Sequence, residues 1–298
     1  YPKGFDKEEA EKAAKYERLQ EIKNIASKYY ADKLMSENTR YDYKDKSGVV
    51  KKVTPLEYQL AIRKHSTDTL KAFGVGFVSN YLDLWNMLID MGYDKEEIKA
   101  AKIWFPEGVF VYTVFHPVTR DIMRMNIKNP FNITMPSQKD GKEEIIQGMS
   151  AGDKFIGFAP GFNFNKPAIV VEGENDAQTV YGRNFKNVCW IAGNIKPEQL
   201  EILDKMNAPI YLCYDNDAVG RKYTEMTDEV LPHKDLRLMS FDDTYNDIDD
   251  YYRTHPSPKT IEELIDEAKQ IETEAFKIMH EGNLWIIANR HKRIEFTI

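Results

Sequence analysis

The sequence predicts a mixed protein in which a smaller α+β subdomain precedes an α/β domain, a parallel sheet with flanking helices. Two observations carry that prediction. From residue 167 onward, short apolar runs alternate with helical patterns, the rhythm of right-handed crossovers in a sheet covered on both faces. Before it, several helical patterns surround one hairpin. A chain of 298 residues with 42 % hydrophobic content supplies enough core for one large domain or two ordinary ones.

Taken in order, the segment from Asp6 to Leu34 places Leu19, Ile22, Ile25, Ala26 and Tyr29 at spacings of three and four, an amphipathic helix. Tyr41–Val53, with Asp45-Lys46-Ser47-Gly48 at its centre, reads as a polar loop or weak hairpin. Leu56–Ile62 and Thr67–Phe73 are short helices, and the glycines of Phe73-Gly74-Val75-Gly76-Phe77 turn the chain into an extended segment. A helical pair follows at Leu82–Met91 and Lys95–Ala101, broken at Gly92. Val109–Val114 and Ile122–Ile127 flank His116–Asp121 as a β-hairpin.

In the second half, Pro167–Val171, Val188–Ala192, Pro209–Tyr214 and Leu236–Phe241 are the strands. Asp176–Tyr181, Pro197–Met206 and Val219–Leu231 are the helices between them. The tail holds an acidic helix, about Ile261 to His280, and the apolar run Leu284–Ala288. The expected domains are a helical extension over 1–50, an α+β subdomain over 51–165, an α/β domain over 166–257 and a helical segment over 258–298.

Charge and cysteine content narrow the function classes. The 41 basic against 48 acidic side chains give -7, an odd balance for a nucleic-acid binder. The halves differ, however: residues 1–168 hold 26 basic and 23 acidic side chains, residues 169–298 hold 15 and 25. Cys189 and Cys213, both in apolar runs, cannot build a disulfide framework or a zinc ribbon, so no zinc and a reducing compartment are expected. No apolar run approaches a bilayer span and no signal segment opens the chain, so an intracellular, cytoplasmic protein without membrane contact is expected. The chain opens on Tyr1 rather than Met, which points to a fragment or processed product.

The second half's acids sit where strands end. Ile169-Val170-Val171 runs into Glu172-Gly173-Glu174-Asn175-Asp176, placing Glu172 at a strand terminus and Asp176 at a helix opening. Tyr211-Leu212-Cys213-Tyr214 runs into Asp215-Asn216-Asp217-Ala218-Val219-Gly220-Arg221, and Asn246-Asp247-Ile248-Asp249-Asp250 follows the fourth strand. Singly, each cluster is more often a turn, a cap or a solvated pair. Together they repel one another at the edge where such sheets bind ligands, a cost tolerable chiefly when divalent cations neutralise it. Oxygen ligands without converging His or Cys favour Mg²⁺ or Mn²⁺, which bridge to phosphates. The layout is that of metal-assisted phosphoryl transfer.

These residues resemble the TOPRIM domain: Glu172-Gly173 after one strand, Asp215-x-Asp217 after another, and Asp247-x-Asp249. Gly193 followed by Lys196-Pro197-Glu198-Gln199-Leu200 looks like the turn and helix that DnaG-type bacterial primases carry between these motifs. Asp215–Arg221 is similar to the primase Asp-x-Asp-x-Ala-Gly form. Upstream, Leu56-Glu57-Tyr58 through Leu70–Phe77 is similar to the primase segment ending Phe-Gly-Ile-Gly-Tyr, Leu88–Ala101 looks like the following helical element, and Phe115-His116-Pro117-Val118 with Arg124 resembles the Phe-Pro-Ile hairpin and its basic partner. Two departures stand out. No zinc ribbon precedes the core, and the Lys-Tyr-Leu-Asn stretch before TOPRIM is absent. Among Arg124, Lys128, Lys139, Lys142 and Lys154, Lys154 is that stretch's nearest basic counterpart.

The resemblance implies a TOPRIM-type sheet and an RNA polymerase core making short primers for a replisome, plausibly that of a phage. Glu172, Asp215 and Asp217 would be catalytic and, with Asp176, Asp247 and Asp249, would hold two or more Mg²⁺ or Mn²⁺ ions. Arg124, Lys128, Lys154 and Arg221 would contact nucleotide or template phosphates. The implied partners are single-stranded DNA, NTPs and the RNA primer, with a replicative helicase as a further candidate. The alternatives are a TOPRIM nuclease using similar acids for hydrolysis, and a non-enzymatic scaffold binding nucleic acid or helicase. A type IA topoisomerase needs a further large domain with a nucleophilic tyrosine, for which the length leaves little room.

Overall fold

The structure is a computed structural model that describes residues 7–136, 143–146, 150–152, 156–191, 196–271, 277–281, 284–288 and 293–297. Of the residues singled out above, Lys139, Lys142, Lys154 and Gly193 lie outside it. The chain divides into two compact units, residues 1–160 and 161–298. No described helix is long and apolar enough to cross a membrane.

In the first unit, α1 (Lys7–Ser36) buries Ile22, Ala26, Tyr30 and Leu34, one residue per turn. Leu19, Ile25 and Tyr29 flank this stripe half-buried, so the apolar face turns slightly from the one the periodicity indicates. The segment after it is a hairpin of β1 (Tyr41–Lys44) and β2 (Val50–Val53), closed by Asp45, whose Oδ1 accepts from the Ser47 and Val49 amides, and by Gly48 at φ +88°. A Thr54–Glu57 capping box starts α2 (Pro55–Glu57), which continues as one π-helical turn over Tyr58–Ile62. Next come α3 (Thr67–Ala72), β3 (Val75–Phe77), α4 (Tyr81–Asp90) and α5 (Lys95–Ala100), with side-chain caps from Ser66, Asn80 and Asp94 on the three helices.

The expected hairpin is β4 (Phe110–Phe115) and β5 (Ile122–Lys128). Short strands follow as β6 (Thr134–Pro136), β7 (Glu143–Ile145), β8 (Ser150–Gly152) and β9 (Gly157–Phe158), none legible in that polar stretch. Strands β3, β4, β5 and β8 form an antiparallel sheet in that order. Helix α1 crosses β3 so closely that a Cβ on Gly76 would lie 2.4 Å from Tyr30 Cβ and 2.7 Å from the Tyr30 carbonyl carbon. Beside it, Tyr41, Tyr58, Phe77, Phe110 and Phe131 form one aromatic cluster, with Tyr41 stacked on Phe131 at 4.9 Å.

The second unit alternates β10 (Ala168–Val171), α6 (Glu174–Gly182), β11 (Val188–Trp190), α7 (Pro197–Leu200), β12 (Ile210–Cys213), α8 (Ala218–Val230) and β13 (Leu236–Leu238). These four strands are parallel in the order β13-β12-β10-β11, and every residue of β10, β11 and β12 is buried, as a sheet covered on both faces requires. Two short helices follow, α9 (Ile248–Thr254) and α10 (Ile261–Asp266).

The tail corrects the sequence reading. The helix expected to reach His280 stops at Asp266, because the chain then forms β14 (Lys269–Gln270), which pairs antiparallel with β13 and caps the open edge of the sheet. The remaining described tail is a three-stranded antiparallel sheet of β15 (Lys277–Glu281), β16 (Leu284–Ala288) and β17 (Arg293–Thr297), not a helical segment.

The approach of α1 to β3 has a measurable consequence. Gly76→Ala puts a methyl group into helix backbone that cannot yield, and we expect a loss of about 2 kcal/mol or more in urea unfolding. A midpoint unchanged from the parent would contradict the packing described.

Candidate active site

The site is built from three turns of the second unit. Strand β10 delivers Glu172 directly after Val171, and Glu172 Oε1 accepts the backbone N–H of Asp215 (3.0 Å), the second residue beyond the end of β12. The third turn joins through Asn246: its Nδ2 donates to Asp215 Oδ2 (3.1 Å) and its carbonyl accepts from the Asn216 amide (2.7 Å). Asp217 caps α8, its Oδ1 accepting from Val219 N (2.7 Å) and Gly220 N (2.9 Å). Asp247 caps α9 in the same way, accepting from Asp250 N (2.5 Å). Gly220 is where α8 meets its own turn: a Cβ there would sit 2.0 Å from the Asp215 carbonyl oxygen.

Glu172, Asp215, Asp217 and Asp247 are all half-buried and act on one another. Burial lifts the Glu172 carboxyl above its ordinary range; Asp217 and Asp247 add repulsion, while the Asp215 amide opposes. Burial is also the main reason the Asp215 carboxyl is pushed up to about 7, with Glu172, Asp247 and Asp217 adding to it and Asn246 easing it. Asp247 is raised by burial too, against the pull of the α9 amide. Cys213 on β12 and Cys189 on β11 are fully buried thiols whose ionisation burial suppresses, so neither is a nucleophile.

The six acids nominated from the sequence therefore divide. Asp176 and Asp249 are buried and bonded to protein: Asp176 Oδ2 accepts from Gly173 N (3.2 Å), its Oδ1 from Asp249 N (3.3 Å), and Asp249 takes the Thr179 hydroxyl (2.7 Å) and Arg253 (2.8 Å). The other four each hold one oxygen in a backbone or amide hydrogen bond and leave the second outside any bond among the described residues. Hard oxygens of this kind, with no His or Cys thiolate beside them, fit Mg²⁺ or Mn²⁺. Among the described residues no three His, Cys, Asp or Glu side chains share one ligating centre, so an ion held here would have one or two carboxylate ligands and need further ones from water or phosphate.

Of the nominated basic residues, Arg221 is exposed in the first turn of α8, four residues after Asp217. In the first unit, Arg124 on β5 is 7 % exposed and donates to Asn126 Oδ1 (2.9 Å), whereas Lys128 is half-exposed with its ammonium 5.5 Å from the Tyr112 ring centroid. The sequence reading passed over four residues. Asn246, Thr179 and Arg253 are polar residues without a motif of their own, recognisable only once α6 and α9 are in place. Arg63, which donates to Tyr58 Oη (2.9 Å) and acts with Lys128 on the Tyr112 hydroxyl, follows directly on the π-helical turn.

The Toprim-like family model matches residues 169–252. No curated protein matches the chain. Several solved structures share its fold. The catalytic core of the E. coli primase is 14 % identical with a TM-score of 0.61, over 86 % of this chain and 80 % of that one. A DnaG primase catalytic domain bound to single-stranded DNA is 15 % identical with a TM-score of 0.59, over 87 % and 81 %. The Aquifex aeolicus primase, solved with its zinc-binding and RNA polymerase domains, is 14 % identical with a TM-score of 0.59; the alignment covers 86 % of this chain but 62 % of that structure. The fold is thus that of a DnaG-type catalytic core with a Toprim-like domain, as the motifs indicated.

The Asp215 shift has a defined sign. Unfolded, its carboxyl titrates near 3.8; folded, near 7, so between those values the folded chain binds an extra proton and loses stability as pH rises. In metal-free buffer, Asp215→Asn should raise the thermal midpoint over the parent at pH 8 and leave it little changed at pH 4. An equal gain at both values would show that Asp215 is not perturbed.

Proposed function

We propose that this chain is the polymerising core of a DNA primase, joining ribonucleotides on a single-stranded DNA template by metal-dependent nucleotidyl transfer. One observation carries the reading: four half-buried, mutually repelling carboxylates stand at the carboxyl ends of the central strands of a Toprim-like sheet, within a chain that has the fold of DnaG cores over most of its length. Such a field attracts divalent cations and, through them, the phosphates of an incoming NTP. The DNA-bound structure of a similar catalytic domain supports a single-stranded template as partner.

In this reading Glu172, Asp215, Asp217 and Asp247 present their unbonded oxygens to the cations. Mg²⁺ or Mn²⁺ held there would supply activation of the primer 3′-hydroxyl and neutralisation of the charge developing on the triphosphate. The chain's own groups do the rest. The Asp215 amide holds Glu172 in position, and Asn246 keeps one Asp215 oxygen occupied so that the other faces outward. Asp215 would hold a cation as the carboxylate, since opposite charge nearby favours that form. The exposed Arg221 lies in helical register with this turn and suits a triphosphate oxygen. Arg124, buried with Asn126, supports β5 instead, so contact with the template backbone from this hairpin falls to Lys128.

A primer-synthesis assay with single-stranded DNA, NTPs and Mg²⁺ or Mn²⁺ tests the proposal. Asp215→Ala with Asp217→Ala should reduce product by at least about 100-fold, and chelation should abolish it in the parent. Parent-level synthesis by the double variant would remove these residues from the mechanism. DNA cleavage without NTP incorporation would instead identify a nuclease.

A further inference from the structure

Asp249 is 1 % exposed, and its backbone amide donates to the carboxyl group of a second buried acid, Asp176 (3.3 Å). A carboxylate that deep in a protein interior is costly unless a cation compensates it. The protein supplies one. Arg253, one turn further along α9, donates through Nε to Asp249 Oδ2 (2.8 Å) and through Nη2 to Asp250 Oδ1 (3.1 Å). With Oδ2 held, Asp249 turns Oδ1 to the Thr179 hydroxyl on α6 (2.7 Å). Arg183 adds a second seam between the same helices, donating to the carbonyls of Thr179 (3.2 Å) and Tyr252 (3.4 Å).

This network reaches the carboxylate site at both ends. Asp176 holds Gly173, the residue after Glu172, while the first turn of α9, which contains Asp249, is capped by Asp247. We infer that Arg253 is a positioning residue: by compensating and orienting Asp249 it fastens α9 to α6 and sets the separation of Glu172 from Asp247. Asp176 and Asp249, which the sequence nominates as cation ligands, are then the fastening and not part of the ligand set. The inference rests on the reading of Glu172 and Asp247 as cation ligands. Outer partners of this kind tune cation affinity through the geometry of the ligands they hold. The planar fork of Arg253 engages two carboxylates at once, which a lysine cannot reproduce.

Two measurements on the full chain test it: calorimetric titration with Mn²⁺, and amide hydrogen exchange at Asp249 and Asp250 without metal. Arg253→Met should weaken Mn²⁺ binding by about 10- to 100-fold and speed exchange at both amides, with Arg253→Lys between it and the parent. Parent-like affinity and exchange in Arg253→Met overturn the inference. A parent chain that takes up no Mn²⁺ overturns the cation reading instead, and the exchange rates then decide the fastening alone. If Arg253→Met does not fold, Thr179→Val, which removes one bond and keeps the ion pair, should shift both readouts in the same direction by less; no shift overturns the inference.

Discussion

The bond from the Asp215 amide to Glu172 Oε1 joins the turn after β10 to the turn after β12, and the rest of the site is arranged around it. It brings two half-buried carboxyl groups into one field: burial raises both, Glu172 adds to the rise at Asp215, and Asp217 and Asp247 add to the rise at Glu172. A fold can sustain such an arrangement only by satisfying one side of each carboxylate with polar groups of its own. Backbone amides do this for Glu172, Asp217 and Asp247, and the Asn246 amide does it for Asp215. Half of the oxygens are thereby locked in place and half are left for chemistry.

The architecture explains why these turns meet at all. Strand β10 lies between β11 and β12, so the turns after β10 and β12 emerge side by side at the same end of the sheet. Gly220 lets α8 start within contact of the Asp215 carbonyl, which keeps the Asp215–Asp217 turn tight. On the other flank, α9 lies against α6 through Asp249, Thr179 and two arginines. The like charge gathered at the site is matched behind it by a charge-compensated layer.

Much of this was legible in the sequence. Apolar runs ending in Glu172 and in Asp215-Asn216-Asp217 placed acids at strand termini, because period, run length and glycine position report backbone geometry locally. Helix α9 and β14 were not legible. The first is seven residues long and nearly as acidic as the turn before it, and the second exists only because β13 offers an unpaired edge. The helix expected through Ile261–His280 lost to that edge: weak periodicity yields to an unfilled sheet position.

The net acidity is unevenly spread: the excess acid lies in the half that carries the strand-end clusters. By itself, then, the sequence determined the parallel sheet, the carboxylates at its strand ends and the hard-cation chemistry they suit, since each follows from residue type and spacing along one stretch of chain. Only the tertiary structure decided which acids stand in the half-buried field and which, Asp176 and Asp249, are buried and bonded behind it. That division depends on partners tens of residues away, Thr179 for Asp249 and Asn246 for Asp215, and on burial that no local pattern records.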